Sequence, residues 1–117
     1  MIKIYGIKNC DTMKKARLFL TEHQLEHQFI DYRVDGLDRA LLDQFCQQLN
    51  WQLLLNTRGT TYRALPEEAK ANLDQTKAID LMLAQPALIK RPVLSIDGQL
   101  HLGFSQQQYQ QLLKSPT

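Results

Sequence analysis

In the stretch "YGIKNCDTMKKA" (5–16), Cys10 stands between a short apolar run and a basic one. A cysteine that only fills space sits inside the apolar stripe of an element. Cys10 sits at an element boundary, after Gly6, Lys8 and Asn9 and a turn ahead of Lys14 and Lys15. The thiolate, not the thiol, is the nucleophile. At a helix N-terminus, unpaired backbone N–H groups and the positive end of the helix dipole favour an anion. Lysines at 8, 14 and 15 add a weaker, solvent-screened attraction. The pattern therefore points to a sulfur that attacks a disulfide or an anionic substrate, with Lys8 and Asn9 orienting its loop. Asp11 works against this, because a neighbouring carboxylate opposes a second negative charge. Taken alone, these residues leave a plainer reading equally open, a cysteine that merely ends a loop.

The elements that position Cys10 follow from periodicity. "IKIY" (2–5) reads as a strand that Gly6 ends. From Cys10 to about Glu22, the apolar residues Met13, Ala16, Phe19 and Leu20 recur at helical spacing. "HQFIDY" (27–32) is a second strand, so the first thirty residues form a βαβ unit with parallel strands. "LDRALLDQFCQQLNW" (37–51) predicts a helix presenting Leu42, Phe45, Cys46 and Leu49, with Asp38 near its start. "NTRGTTYR" (56–63) reads as a loop, and Pro66 before Glu67 and Glu68 as a helix start with proline in the first turn. "DQTKAIDLMLAQP" (74–86) gives a further helix, with Ile79, Met82 and Leu83 inward and Pro86 closing it. In "PVLSIDGQLHL", Asp97-Gly98 is the preferred two-residue hairpin turn. It predicts Ile96 opposite Gln99 and Leu94 opposite His101, in a sheet covered on both sides. "SQQQYQQLLK" (105–114) closes the chain as a helix capped by Ser105 and packed through Tyr109, Leu112 and Leu113. The expected fold class is α/β, a thioredoxin-like βαβ…ββα core with a central helical insertion. One domain is expected over residues 1–117, with the insertion at about 36–88.

Composition narrows the function. Of 117 residues, 44% are hydrophobic and 22% charged, ordinary values for a globular domain with one core. No apolar run approaches the ~20 residues of a membrane span, and the N-terminus enters a strand without an apolar leader, so a cytoplasmic location is expected. Two cysteines without repeated spacing argue against a disulfide framework. His23, His27 and His101 do not cluster with them at ligand spacing, so no metal is expected. His101 in a hairpin strand and His23 near a helix end lack partners for base catalysis, and Trp51 and Tyr62 read as packing residues. A net charge of +2 is too small to imply nucleic-acid binding. Its distribution says more: five basic residues and one acid up to Arg17, then Arg58, Arg63, Lys90 and Arg91. These could assemble an anion site from distant loops.

Taken together and in order, "YGIKNCDTMKKA", "NTRGTTYR", "IKRPVL" and the closing "GFS" resemble the arsenate reductase (ArsC)/Spx family, in particular its YffB-type subgroup, over essentially the whole chain. The resemblance implies that Cys10 is the nucleophile. It implies that Arg91 holds an anionic substrate or stabilises the thiolate, and that Pro92 is a cis proline whose flanking backbone lies beside the cysteine. Arsenate reductases of this family use further arginines where this sequence has Asn56 and Gly103. Without those bidentate guanidinium forks, the resemblance argues against arsenate as the substrate. Arg58, two residues on, suits a carboxylate-bearing thiol such as glutathione, acting as co-substrate rather than bound cofactor. Met13 makes the motif C-x-x-M, so the second thiol of a C-x-x-C switch is missing. Cys46, on an apolar face, reads as a buried structural thiol. A monothiol reductase cycle resolved by glutathione or another small thiol follows, with neither nucleic acid nor membrane as partner. The resemblance also carries an alternative: Spx-like regulators bind the RNA polymerase α-subunit without turning over a substrate.

Overall fold

A computed structural model describes residues 1–113. Strands β1 (Ile2–Gly6), β2 (His27–Asp31), β3 (Val93–Ile96) and β4 (Gln99–Leu102) form one sheet in the order β2-β1-β3-β4. Helix α1 (Asp11–Glu22) joins the first two strands. Between β2 and β3 come α2 (Arg39–Gln48), α3 (Trp51–Leu54), α4 (Thr60–Arg63), α5 (Glu67–Lys70), α6 (Gln75–Ala84) and a 3-10 turn at Pro86–Leu88. Helix α7 (Gln106–Leu112) follows the last strand. Strand β1 runs parallel to β2 and antiparallel to β3, so Tyr5 pairs with Ile30 on one side and Val93 on the other.

The two-residue period of the strands divides the core between two faces. Ile4 and Leu94 meet Met13, Ala16, Phe19 and Leu20 of α1 and the fully buried Tyr109 of α7. Phe19, Phe104 and Tyr109 pack edge to face there, with Phe104 and Tyr109 centroids 4.6 Å apart. Tyr5 and Val93 point the other way, against Leu42, Phe45, Leu54, Ile79, Met82 and Leu88 of the helical segment. The hairpin closes as expected, with Ile96 opposite Gln99 and Leu94 opposite His101. Asp97 and Gly98 take φ of 50° and 91°, the double positive φ that this turn requires. The Gln48 amide lies along β4, its Nε2 donating to the Gly98 carbonyl (2.7 Å) and its Oε1 accepting from the Leu100 N–H (3.0 Å).

Several boundaries differ from the sequence reading. Gly6 is the last residue of β1 rather than the turn after it. The helix expected over 37–51 is shorter. Asp38 caps α2 by accepting from the Leu41 N–H (2.9 Å), and Asn50 starts the separate turn α3 by accepting from the Gln52 N–H (2.9 Å). Half of the expected 56–63 loop winds into α4, with Gly59 as its N-cap. Pro66 is the N-cap of α5, one place before the first-turn position expected for it. Leu83 is half-buried rather than fully inward. Helix α7 has its expected cap, the Ser105 hydroxyl accepting from the Gln108 N–H (3.0 Å). Lys114, the last residue of the expected closing helix, lies outside the described residues.

Gly6 shows how tightly α1 sits on β1. A Cβ added there would lie 2.4 Å from the Met13 sulfur, and Met13 is fully buried. Gly6→Ala is therefore expected to cost about 1–3 kcal/mol in urea unfolding, as overpacking does. In a Met13→Ala background the same substitution should cost markedly less, since the obstructing atoms are gone. An equal cost in both backgrounds would show that the contact does not constrain the pair.

Candidate functional site

Cys10 is the N-cap of α1, with extended backbone (φ −143°, ψ 128°). Its carbonyl accepts the first intrahelical bond, from the Lys14 N–H (2.9 Å), and its own N–H donates to the Lys8 carbonyl (3.1 Å). The sulfur makes no capping hydrogen bond. The N–H groups of Asp11, Thr12 and Met13 have no acceptor among the described residues, as expected for a first helical turn. An uncommitted thiol thus stands at a helix end whose donors are open. Cys10 is half-buried against the Ile4–Met13 cluster, while Lys8, Asn9, Lys14 and Lys15 are exposed. With Met13 inside the core, the place of a second motif thiol is filled by a packing side chain.

The register of the sheet brings a second segment to this end. Cys10 follows the C-terminal end of β1, Pro92 precedes the N-terminal end of β3, and Tyr5 pairs with Val93 between them. The Arg91–Pro92 peptide bond is cis, and Pro92 is buried. The Pro92 carbonyl accepts from the Gly103 N–H (2.9 Å). Gly103 has φ of 77°, so an arginine at this position would need a left-handed backbone that side chains disfavour. Arg91 is half-buried, and its Nη1 makes only a long contact with the Ala87 carbonyl (3.5 Å). The Tyr32 hydroxyl is buried without a partner among the described residues. Burial pushes its pKa upward, Tyr5 adds to this, and the nearby Arg91 guanidinium opposes it.

Arg58 belongs to a neighbouring feature. Its loop is tied to the approach to Arg91 by the Asn56 N–H to the Leu88 carbonyl (2.7 Å), the Lys90 N–H to the Leu54 carbonyl (2.8 Å) and a Leu55–Ile89 bridge. Arg58 is exposed and shares a cleft of about 370 Å³ with Asn56, Thr57 and Lys90. Cys10 does not line that cleft. Lys8, Asn9, Cys10, Arg91 and Pro92 thus gather at one end of the sheet, whereas Arg58 lines a separate cleft with Lys90.

Asp31 escaped the sequence reading. It is 6% exposed, and its Oδ2 accepts from the Lys8 N–H (3.3 Å), in the loop that leads to Cys10. An acid ending a strand in "FIDYR" was the available signal, and it became visible only with the pairing of β1 and β2. Cys46 corrects the sequence reading in the other direction, being half-buried rather than fully buried. His23 stacks on Phe19, with Nδ1 2.9 Å from the Phe19 carbonyl oxygen, and closes α1. Among the described residues no three histidine, cysteine or acidic side chains gather as metal ligands. No described helix is long and apolar enough to cross a membrane.

A family model described as the ArsC family matches residues 5–112. A Haemophilus influenzae protein is 49% identical over 110 residues, covering 94% of this chain and 96% of its own. The global transcriptional regulator Spx 2 of Lactococcus lactis is 23% identical over 115 residues, covering 97% and 86%. Among solved structures, a protein named YffB superposes with a TM-score of 0.88 at 51% identity, over 93% of this chain and 96% of its own. An arsenate reductase (ArsC) related protein from Brucella melitensis gives 0.80, also at 51% identity, over 97% and 95%.

The two thiols should separate chemically. Burial, and then the Asp43 carboxylate, push the Cys46 thiol up from its ordinary value, so it holds less thiolate at any pH below that pKa. Followed by mass spectrometry, alkylation of Cys46 by iodoacetamide should lag a free peptide thiol at neutral and mildly alkaline pH and draw level only at a pH above its raised pKa. Cys10 should be modified first at neutral pH. Equal rates at both residues would contradict this assignment.

Proposed function

This chain belongs to the ArsC family, and on that premise we propose that it is a monothiol reductase that works through Cys10 and is recycled by glutathione. The observation that carries the reading is an uncommitted sulfur at the N-cap of α1, beside open helix donors and the Arg91–Pro92 segment. In the proposed cycle the Cys10 thiolate attacks the glutathione sulfur of a mixed disulfide. A Cys10–glutathione disulfide forms, and the substrate sulfur leaves as a thiolate that takes a proton from solvent. A second glutathione thiolate then attacks the glutathione sulfur, releasing glutathione disulfide and restoring the Cys10 thiolate. In sum, the mixed disulfide and one reduced glutathione give the free substrate thiol and glutathione disulfide, and no metal or prosthetic group takes part.

Arg91 is the proposed partner for a carboxylate of the bound tripeptide, having many N–H donors and only one long internal contact. Arg58 and Lys90 offer a second cationic cleft for the other carboxylate. With Asn56 and Gly103 in place of arginines, the site is a weaker cradle for a compact oxyanion than for an extended carboxylate-bearing thiol. A cytoplasmic setting, where glutathione is kept reduced, fits the cycle.

The test is a coupled assay of glutathione oxidation with a small glutathione mixed disulfide as substrate. Cys10→Ser should fall to background and Cys46→Ser should stay within about twofold of the parent, since only the attacking thiolate carries the exchange. Arg91→Ala should raise KM by about tenfold, the effect of losing one charge-assisted contact. Full activity in Cys10→Ser would end the proposal. An inert parent protein that is retained by the RNA polymerase α-subunit would favour regulator-type binding instead.

A further inference from the structure

A carboxylate as deeply buried as Asp31 is normally matched by a cation or a metal. Among the described residues Asp31 has no ion-pair partner. Its oxygens take backbone donors instead, Oδ2 the Lys8 N–H (3.3 Å) and Oδ1 the Arg33 N–H (2.9 Å). The residue is itself held in place. Its N–H donates to Asp35 Oδ2 (2.8 Å), and its carbonyl accepts from the N–H groups of Val34 (3.1 Å) and Asp35 (2.7 Å). The turn after β2 is therefore folded around this side chain, with one carboxylate oxygen directed at the loop after β1.

That loop has few other ties. The Tyr32 N–H bonds the Gly6 carbonyl (2.9 Å) and Ile7 is buried in the core, and beyond them, among the described residues, the Asp31 contact is the long-range hydrogen bond that reaches Lys8. The Lys8 residue links it to Cys10, since the carbonyl on the far side of its Cα accepts the N–H of Cys10 (3.1 Å). A continuous path runs from the folded turn, through the backbone of one residue, Lys8, to the residue that caps α1. Asp31 also lies on the face of the sheet where Phe29 packs toward α1, two positions before it in the strand.

We propose that Asp31 is the positioning residue of the Cys10 loop, holding Lys8 so that the sulfur stays at the start of α1. This rests on the reductase reading for its consequence and on the hydrogen-bond path for its geometry. The carboxylate touches no reacting atom and acts through the peptide of Lys8. Ile7 stays anchored in the core, but without the carboxylate the exposed Lys8–Asn9 segment is free to swing, and Cys10 spends less time where the open helix donors can favour its thiolate.

Asp31→Ala and Asp31→Asn, made in the full chain, test this with two readouts. The first is the pH profile of Cys10 alkylation by iodoacetamide, with Cys46 in the same sample as the internal reference. Asp31→Ala is expected to slow Cys10 roughly fivefold or more at neutral pH, by depleting the positioned thiolate, and to leave Cys46 unchanged. Asp31→Asn keeps a carbonyl oxygen able to accept the Lys8 N–H and should recover most of the rate. The second readout is amide hydrogen exchange at Lys8, expected to quicken at least tenfold in Asp31→Ala through loss of its acceptor. If Asp31→Ala does not fold, Asp31→Ser, whose shorter side chain does not span to Lys8, is read in the same two ways, with Asp31→Asn still the rescuing variant. Unchanged Cys10 alkylation and unchanged Lys8 exchange in folded Asp31→Ala, or in folded Asp31→Ser where the alanine variant fails, would overturn the inference. A parent protein whose Cys10 is no more reactive than Cys46 would sink the reductase reading, while Lys8 exchange would still report separately whether Asp31 holds the loop.

Discussion

Strand β1 is the element on which the site depends, because it alone pairs with both halves of the fold. Its parallel register with β2 sets Gly6 beside Asp31, and its antiparallel register with β3 sets Tyr5 beside Val93. The first pairing delivers the carboxylate that reaches Lys8; the second brings the cis Arg91–Pro92 bond to the end of the sheet that carries Cys10. A slip of one residue would exchange Ile4 for Tyr5 between the two cores and undo both alignments. Apolar packing on the two faces is thus what fixes the position of polar groups at the sheet end.

The motif around Cys10 combines this constraint with an unusual division of labour. Position 13, where a dithiol enzyme would keep its second sulfur within reach, is given to a side chain pressed against Gly6. That contact anchors the helix on β1, and the Cys10 sulfur is left without a second thiol in its own motif. Gly103 likewise serves the backbone, in a left-handed turn whose N–H is bonded to the Pro92 carbonyl. At both positions the residue has a backbone or packing role rather than a chemical one.

What the sequence revealed follows the range of the interactions involved. The stripe Met13–Ala16–Phe19–Leu20, the caps at Asp38 and Ser105 and the Asp97-Gly98 turn depend on neighbours a few residues away. All were legible from spacing, and so was the placement of Cys10 at a helix start. The single turns between Trp51 and Lys70 were harder to read. Each is too short to show a period, and it exists because a local cap and the adjoining core hold it. The roles of Asp31 and the partly exposed state of Cys46 depend on what packs beside them across the fold. Motif resemblance supplied the cis proline, which periodicity does not encode.

Gln48 has a bearing on how this protein behaves in a crowded solution. Strand β4 is an edge of the sheet, and an edge offers free backbone groups to any passing strand. Nε2 on Gly98 and Oε1 on Leu100 reproduce the donor and acceptor of a peptide unit, so a side chain from α2 occupies the place a neighbouring strand would take. The helical segment that walls one face of the core therefore also blunts self-association by edge pairing. Swapping Gln48 for a residue without an amide would reopen a template for aggregation while leaving the reactive end of the sheet untouched.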